Sequence, residues 1–420
     1  MLLSEKLLPA QLVKYLLWAL FVFSAGAFAH SHHDARPSQW AMSVMVWLLP
    51  LVYLLKFPRQ LNKGEWLLLI SGAALFLSTL VSFAWSGDLW EPGVLRTYWL
   101  YLLPIGLVPL LAALPFNKRG LYVLLMLSMA LSFAVVLKDL STGVTRAAHH
   151  GLAIPYGSIS LTTALICFIF SQDKSVSSVW RTALFLAGML GLVGVVWSQT
   201  RGAWVYFLIW ILVALVLWFR RESSRKRKLA VLGGGVVLIL MIALFPAGDL
   251  VRNRAVQAVN EVADYMGNKS SRTSSGQRLE LWKVASESFS QSPLLGAGIS
   301  GFVSKRDEMQ REKRIDMIKP LKHSHNDVLW MLATRGAVGG VVLLGFYFAL
   351  YRYYYARLSA AENRLLAYAG LTALGGAVVY GITDIYISLK ITLGYFLILN
   401  ALLIRLLKDS GSGTQHPAGG

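Results

Sequence analysis

Residues 202–219 read GAWVYFLIWILVALVLWF, an apolar run bounded by Arg201 before it and by Arg220 and Arg221 after it. The run contains neither a charged residue nor a proline. An α-helix needs about 20 apolar residues to cross the hydrocarbon core of a bilayer. This stretch therefore predicts a membrane-spanning helix, and similar blocks recur along the chain.

The composition excludes a soluble protein. Of the 420 residues, 56% are hydrophobic and 15% are charged, and the mean hydropathy is +0.55. Soluble domains carry about 25% charged residues. A soluble chain of this length would form two or three domains, and this chain has too few charges to cover their surfaces. The sequence therefore predicts an all-α polytopic membrane protein.

Twelve hydrophobic segments have the length and apolarity of membrane spans. Near its end, the first span contains Ala27-Phe28-Ala29, which is similar to a signal-peptide cleavage site. We expect this span to be an uncleaved helix. The predicted spans cover residues 9–30, 38–57, 65–86, 97–115, 119–138, 152–171, 179–199, 202–220, 229–247, 328–351, 365–384 and 388–407.

Basic residues are distributed unequally between the two sets of loops. One set holds 20 Lys and Arg residues, including the run at 220–228, and the short loops opposite hold six. The positive-inside rule places the richer set, and with it both termini, in the cytoplasm. Much of the net charge of +19 thus sets the topology, and we predict no nucleic-acid partner.

The predicted spans divide the chain into four parts: spans one to nine at 1–247, a hydrophilic segment at 248–327, spans ten to twelve at 328–407, and a disordered cytoplasmic tail at 408–420. By parity, the hydrophilic segment lies outside the cytoplasm. Helical spacing of its apolar residues predicts a mainly helical insertion, with a helix that ends at Pro293 and a charged helix over 303–318.

Two arginines are candidates for binding an anion at the outer face of the membrane. Arg201 lies in a very short turn between spans seven and eight, and Arg278 lies on an amphipathic helix of the insertion. Guanidinium groups bind phosphate in a bidentate manner. The alternatives are an interfacial arginine that extends to water at Arg201 and a solvated helix-start residue at Arg278.

The segment 322–327 reads KHSHND and lies where the insertion returns to the membrane as span ten. A histidine here, His325, can act as a general base near neutral pH. The alternative is a capped helix start in which Ser324, Asn326 or Asp327 accepts backbone N–H groups. The two interpretations are compatible, because a cap also fixes the side chains beside it.

The sequence predicts neither a metal nor an organic cofactor. The histidine groups at 30–33 and 149–150 lack the spacing of a structural zinc site, and the single cysteine, Cys167, lies in an apolar span. No phosphate-binding glycine loop or nucleophile elbow occurs in a supporting context.

Three short motifs together resemble bacterial O-antigen ligases, which belong to the wider O-antigen ligase/polymerase superfamily. His325-Asn326, nine residues and then Gly336-Ala-Val-Gly339 is similar to the ligase signature. The turn 198–202 resembles the arginine–glycine segment of the superfamily. Arg278-x-x-x-Trp282 followed by PLLGAG at 293–298 resembles its external-loop pattern. Twelve spans with one large external segment before span ten agree with the layout of that family.

The resemblance implies a GT-C-like fold and an inverting, metal-independent glycosyltransferase. Such an enzyme takes a polysaccharide from undecaprenyl diphosphate and transfers it to a sugar hydroxyl of lipid A–core. The product is lipopolysaccharide, made at the periplasmic face of the bacterial inner membrane. The implied partners are thus the lipid-linked donor, the lipid A–core acceptor and membrane lipids.

The resemblance also implies roles for residues of this chain. His325 would be the catalytic base, and Arg201 and Arg278 would bind the donor diphosphate. Supporting roles are assigned to three neighbours of His325. Independently of the resemblance, two glycines permit close helix packing, which would hold the histidine segment in place. These residues are Lys322, His323 and Asn326, and Gly336 and Gly339.

Two other functions remain open, because the superfamily shares its motifs, and a transporter is a remote third alternative. An O-antigen polymerase uses the same donor but a second lipid-linked repeat as acceptor, and polymerases more often have two sizeable periplasmic loops. An O-linked protein oligosaccharyltransferase shares the motifs but tends to be longer. A lipid-linked glycan transporter would place ionisable residues near the bilayer midplane and show repeat symmetry, whereas here the charges gather at the outer rim.

Overall fold

A computed structural model describes residues 61–90, 98–113, 116–144, 146, 153–221, 224, 246–267 and 271–407. Every regular element within these ranges is a helix. The α-helices are α1 Lys63–Ser86, α2 Leu103–Ala113, α3 Lys118–Ser141, α4 Ala153–Phe170, α5 Ser178–Ser198, α6 Arg201–Arg221, α7 Pro246–Met266, α8 Ser274–Gln291, α9 Gly298–Arg311, α10 Asp327–Tyr355, α11 Arg364–Thr383 and α12 Lys390–Leu406.

Within the described ranges, seven helices are long and apolar enough to cross a membrane: α1, α3, α4, α5, α6, α10 and α11. The protein is therefore a polytopic helical membrane protein, as predicted. The predicted spans at 97–115 and 388–407 correspond to the shorter helices α2 and α12. The spans at 9–30 and 38–57, most of 229–247, the tail at 408–420 and the histidine groups at 30–33 and 149–150 lie outside the described residues.

The membrane helices differ in how much of their surface the protein covers. α4 is 83% buried and packs between α3, α5 and α11. α6 is only 17% buried, and Leu208 and Leu212 are more than 60% exposed. Since lipid tails are as apolar as leucine, such exposure is expected of a helix that faces the bilayer.

The hydrophilic segment between α6 and α10 contains α7, α8 and α9 and has its own apolar cluster. Leu281 of α8 and Phe302 of α9 pack there with Trp330 and Ala333, which belong to the first turns of α10. The cluster attaches the hydrophilic helices to the start of a membrane helix.

The boundaries of α9 differ from the predicted helix at 303–318. The Asp88 carboxylate accepts hydrogen bonds from the backbone N–H groups of Ile299 and Ser300, which starts the helix at Gly298. Lys313 adopts a positive φ of 59°, which ends the helix after Arg311. The sequence pattern shows neither the distant carboxylate nor the left-handed residue.

A kink divides α10 at Gly336, which has φ 63° and ψ −162°. The segment from Pro293 to Ala297 docks into this kink through three backbone hydrogen bonds: Ala337 N–H to Pro293 O, Val338 N–H to Leu294 O and Ala297 N–H to Ala333 O. A Cβ on Gly336 would overlap the backbone of Leu294. The kink therefore ties the end of α8 to the first turns of α10.

The second glycine of the predicted motif accommodates a buried arginine. A Cβ on Gly339 would overlap Cβ of Arg335, whose side chain is fully buried. The guanidinium carbon of Arg335 lies 4.4 Å from the ring centroid of Tyr98 and 5.5 Å from that of Phe83, which are cation–π distances.

Gly336→Ala is expected to destabilise the fold by more than about 1 kcal/mol, because the new Cβ meets backbone atoms at a left-handed position. Gly345→Ala in the same helix is the matched control. A Cβ at Gly345 has no atom within 4 Å, and alanine is the better helix former. Thermal unfolding of the purified variants in detergent measures the difference. Equal stability of the two variants would contradict the docking of Pro293–Ala297 on the kink.

Candidate functional site

The histidine of the ligase-like motif lies in a constrained backbone segment. His325 has a positive φ of 51°, which is uncommon for a residue with a side chain. Ser324 Oγ donates a hydrogen bond to Asn326 O at 2.8 Å, and Asn326 Oδ1 accepts from Leu329 N–H at 3.0 Å. Asn326 is thus the N-cap of α10, and the capped helix start is present together with a partly buried histidine ring.

The partner of His325 is an aspartate 59 residues away. Nδ1 of His325 lies 2.8 Å from Oδ1 of Asp384, which directly follows α11. Asn326 Nδ2 donates to Ile382 O at 3.1 Å, which holds the start of α10 against the last turn of α11. This pairing holds the imidazole in one orientation and leaves Nε2 for another partner. The sequence analysis missed Asp384, although an acidic residue at the end of the predicted span 365–384 is a signal for it.

The loop after Asp384 is held by a second carboxylate. Asp327, which is buried, accepts hydrogen bonds from the backbone N–H groups of Tyr386 at 2.8 Å, Ile387 at 2.8 Å and Ser388 at 3.1 Å. The first residue of α10 therefore anchors the connection between α11 and α12. As a result, the bonds of Asp327 hold the segment that carries His325 against the loop that follows Asp384.

The electrostatics of the pair favour an ionised aspartate and a neutral neighbouring histidine. Burial would raise the pKa of the Asp384 carboxyl, but the hydrogen bond with His325 and the charge of Arg278 bring it below its ordinary value. Burial, together with the charges of His325 and Arg278, lowers the pKa of His323 to about 4. The His323 and His325 rings lie 4.1 Å apart, so a neutral His323 adds no second charge beside His325 near neutral pH.

Among the described residues, one group could hold a metal ion. Ligand atoms of His323, His325 and Asp384 lie within 4.8 Å of one another. The His325 nitrogen that faces Asp384 is already engaged in their hydrogen bond. The prediction that the protein needs no metal stays a prediction.

The two predicted arginines lie in one cleft. Arg201 at the start of α6 and Arg278 in the second turn of α8 line a cavity of about 180 Å³, together with Arg146. Thr383, the neighbour of Asp384, also lines this cavity. A Cβ on Gly202 would overlap Thr383 Oγ1, so the glycine after Arg201 lets α6 approach the end of α11 closely. The arginine cleft and the His325–Asp384 pair are therefore adjacent.

The two arginines have different partners. Arg201 forms a bidentate ion pair with Glu261 of α7, at 3.0 Å and 3.2 Å. Ser275, at the start of α8, donates to the same carboxylate from its hydroxyl at 2.6 Å and its backbone N–H at 3.1 Å. Against the effect of burial, these bonds lower the pKa of Glu261 to about 2. Glu261 thus joins α6, α7 and α8, and the sequence analysis assigned it no role.

Arg278 is held differently from Arg201. Among the described residues, no hydrogen bond or ion pair engages its guanidinium, and its Nε is buried without a partner. A buried donor without an acceptor carries a desolvation cost that an anionic ligand would remove. Of the residues with predicted supporting roles, Lys322 is exposed, while His323 and Asn326 are part of the histidine segment.

The arrangement combines two chemical capabilities. An oriented imidazole next to a carboxylate can accept a proton from a hydroxyl group. A cleft lined by three arginines can stabilise negative charge on a leaving group. A group transfer from a phosphate ester needs a base that removes the proton of the nucleophile and a nearby site that binds the departing anion.

Two comparisons with known proteins bear on this site. The sequence model of the O-Antigen ligase family matches residues 186–344. An uncharacterized protein of Haemophilus influenzae is 23% identical over 195 residues, which cover 46% of this chain and 48% of that protein. The chain thus spans about half the length of the relative that it matches, and the relative carries no established activity.

The matched family region extends from α5 into α10. It contains Arg201, Arg278 and the His325 segment with Gly336 and Gly339, whereas Asp384 lies beyond its end. The region also includes the whole hydrophilic segment that holds the two arginines in place. The match over residues 186–344 supports membership of the O-antigen ligase/polymerase superfamily.

Proposed function

We propose that the protein is an O-antigen ligase that transfers a polysaccharide from undecaprenyl diphosphate to a sugar hydroxyl of lipid A–core. The observation that carries the proposal is the adjacency of the His325–Asp384 pair and the arginine cleft, joined through Thr383 and Asp384. The His325–Asp384 pair provides a base for the acceptor hydroxyl. The arginine cleft provides a site for the donor diphosphate.

The reaction follows as an in-line displacement. Nε2 of His325 takes the proton of the acceptor hydroxyl while its oxygen forms a bond to the anomeric carbon of the donor sugar. The bond between that carbon and the diphosphate oxygen breaks, and its electron pair leaves with undecaprenyl diphosphate. Arg278 and Arg201 stabilise the charge that develops on the leaving group. Attack from the side opposite the leaving group inverts the anomeric configuration.

Asp384 and Glu261 act as positioning residues in this scheme. Asp384 keeps Nδ1 of His325 as the hydrogen-bonded nitrogen and stabilises the imidazolium that forms. Glu261 fixes the guanidinium plane of Arg201 through two parallel hydrogen bonds. The reaction is proposed to need neither a metal nor a nucleotide.

We also propose the location that the charge distribution of the loops supports. The protein lies in the bacterial inner membrane with both termini in the cytoplasm, and residues 248–327 form a periplasmic insertion. The His325 segment and Arg278 flank or belong to that insertion, so the reaction takes place at the periplasmic face, where both lipid-linked substrates are accessible.

Reconstitution tests this function directly. Purified protein is mixed with a polyprenyl diphosphate-linked glycan and lipid A–core in the presence of a metal chelator. Glycan attached to lipid A–core supports a ligase. Chain growth on the polyprenyl carrier would instead identify a polymerase, and transfer to protein alone would identify an oligosaccharyltransferase.

Removal of the base or of the unpaired arginine is expected to abolish measurable transfer. His325→Ala lowers kcat by about 10²–10⁴-fold, since the acceptor proton has no receptor. Arg278→Ala lowers it by about 10²–10³-fold through lost stabilisation of the leaving group. Arg311→Ala, on the exposed end of α9, is the matched control and is expected to keep wild-type activity. Near wild-type transfer by either site variant would refute the assigned roles.

Asp384→Asn tests the orientation of the base. The amide can present an N–H group to Nδ1, which favours the wrong tautomer of His325. We expect kcat to fall by about 10²–10⁴-fold while the KM for both substrates changes little. Steady-state kinetics on membranes with equal amounts of protein measure the two parameters. An unchanged kcat would show that Asp384 does not orient the base.

Glu261→Gln is expected to lower thermal stability at pH 7, because the bidentate pair with Arg201 is lost. In the fold, the pKa of Glu261 is about 2, below its ordinary value of 4.5. The stability it contributes is therefore present above about pH 4.5 and is lost as the pH falls toward about 2. The difference in thermal stability between Glu261→Gln and wild type should therefore become smaller as the pH falls through that range. Glu287→Gln, which removes an exposed pair with Arg314, is the control and should have little effect at any pH.

A further inference from the structure

The motif residue Trp282 has no part in the reaction described above, yet it lines a groove of the hydrophilic helices. The groove has a volume of about 740 Å³ among the described residues. Its floor is one face of α8, formed by residues at helical spacing, with further walls from α7, the end of α9 and α10. The α8 residues are Leu279, Trp282, Lys283, Ser286, Glu287 and Ser290.

The lining has the chemistry of a carbohydrate site. Trp282 provides an aromatic surface, on which the C–H faces of sugar rings stack, and Nζ of Lys283 lies over the ring of Tyr265 at 5.1 Å from its centroid. Lys283, Glu287 and Arg314 supply charged donors and acceptors that match sugar hydroxyls. Their side chains are between 34% and 53% exposed, so they can reach a ligand in the groove.

The groove continues directly from the arginine cleft. Along α8, Ser274 and Arg278 line the cleft, and the residues from Leu279 to Ser290 line the groove. Along α7, Glu261 lines the cleft and Tyr265, one turn later, lines the groove. The part of α8 in the groove is about 16 Å long at 1.5 Å per residue, which is enough for several sugar rings.

The groove also reaches the histidine segment. Leu329, which lines the groove, donates its backbone N–H to Asn326, the residue after His325. An in-line displacement brings the acceptor hydroxyl to the anomeric carbon from the side opposite the diphosphate. A ligand that lies in the groove is displaced from the arginine cleft along α7 and α8, and at Leu329 it lies one turn of α10 from the segment that carries the base.

We propose that this groove binds the oligosaccharide of the acceptor and presents its hydroxyl to His325. The inference rests on the proposed ligase function and adds the acceptor subsite to it. Lys283 pairs with Glu280, and Arg314 pairs with Glu287 and Glu312, so the groove offers charged donors and acceptors of both signs to the hydroxyl groups of an acceptor glycan. Trp282 is then a specificity-determining residue of the acceptor.

Direct binding tests the groove without catalysis. Core oligosaccharide freed from lipid A is titrated into the full-length protein in detergent by isothermal calorimetry. Wild type and His325→Ala should bind it with similar affinity. Trp282→Ala should weaken binding at least tenfold, and Trp282→Phe should restore most of it. Ser286 is an exposed residue of the α8 floor, so Ser286→Trp fills the groove without removing a buried side chain and should weaken binding to the same extent.

The controls separate this inference from the proposed function. Trp85→Ala replaces a tryptophan that is 70% exposed on α1 and should bind as wild type. Affinity for free undecaprenyl diphosphate should stay unchanged in the groove variants. Equal oligosaccharide binding by wild type and Ser286→Trp, or no binding by wild type, would overturn the acceptor subsite. A failure of the ligase assay with groove-dependent binding intact would overturn the transfer reaction alone.

Discussion

The site depends on the hydrogen-bonded contact between the start of α10 and the connection from α11 to α12. Asp327 accepts three backbone N–H groups of residues 386–388, and His325 pairs with Asp384 a few residues earlier. Residues 386–388 are buried, and buried backbone N–H groups must find partners within the protein. The same bonds that satisfy the loop therefore fix the imidazole, and the strained φ of His325 persists because its neighbours on both sides are held.

Two further contacts hold Arg201 and Arg278 next to the His325–Asp384 pair. The kink at Gly336 receives the segment from Pro293 to Ala297 and so ties α8, with Arg278, to α10. Glu261 joins Arg201 of α6 to Ser275 at the start of α8. Helices that are distant in sequence thus place two guanidinium groups in one cleft, where developing negative charge on a leaving group can be stabilised.

The sequence was informative where a residue type is costly or rare in its context. Arginines at the rim of a membrane and a histidine at a helix start indicate function, because placing ionisable groups there costs free energy. The structure brings Arg201, Arg278 and His325 close together. The seven long apolar helices followed from hydropathy alone. Asp384 and Glu261 were missed, because each acts through a contact across 59 or 60 residues that no local pattern encodes. The start of α9 was misplaced for the same reason, since its cap is Asp88.

The proposed reaction requires the donor diphosphate to bind in the arginine cleft beside the His325–Asp384 pair. A cryo-electron microscopy structure of the protein in lipid nanodiscs with undecaprenyl diphosphate shows where the diphosphate binds. We expect diphosphate density within hydrogen-bond distance of the Arg278 guanidinium and adjacent to Arg201, with Nε2 of His325 directed toward the same space. Diphosphate bound at another surface, with the cleft empty, would rule out the proposed reaction.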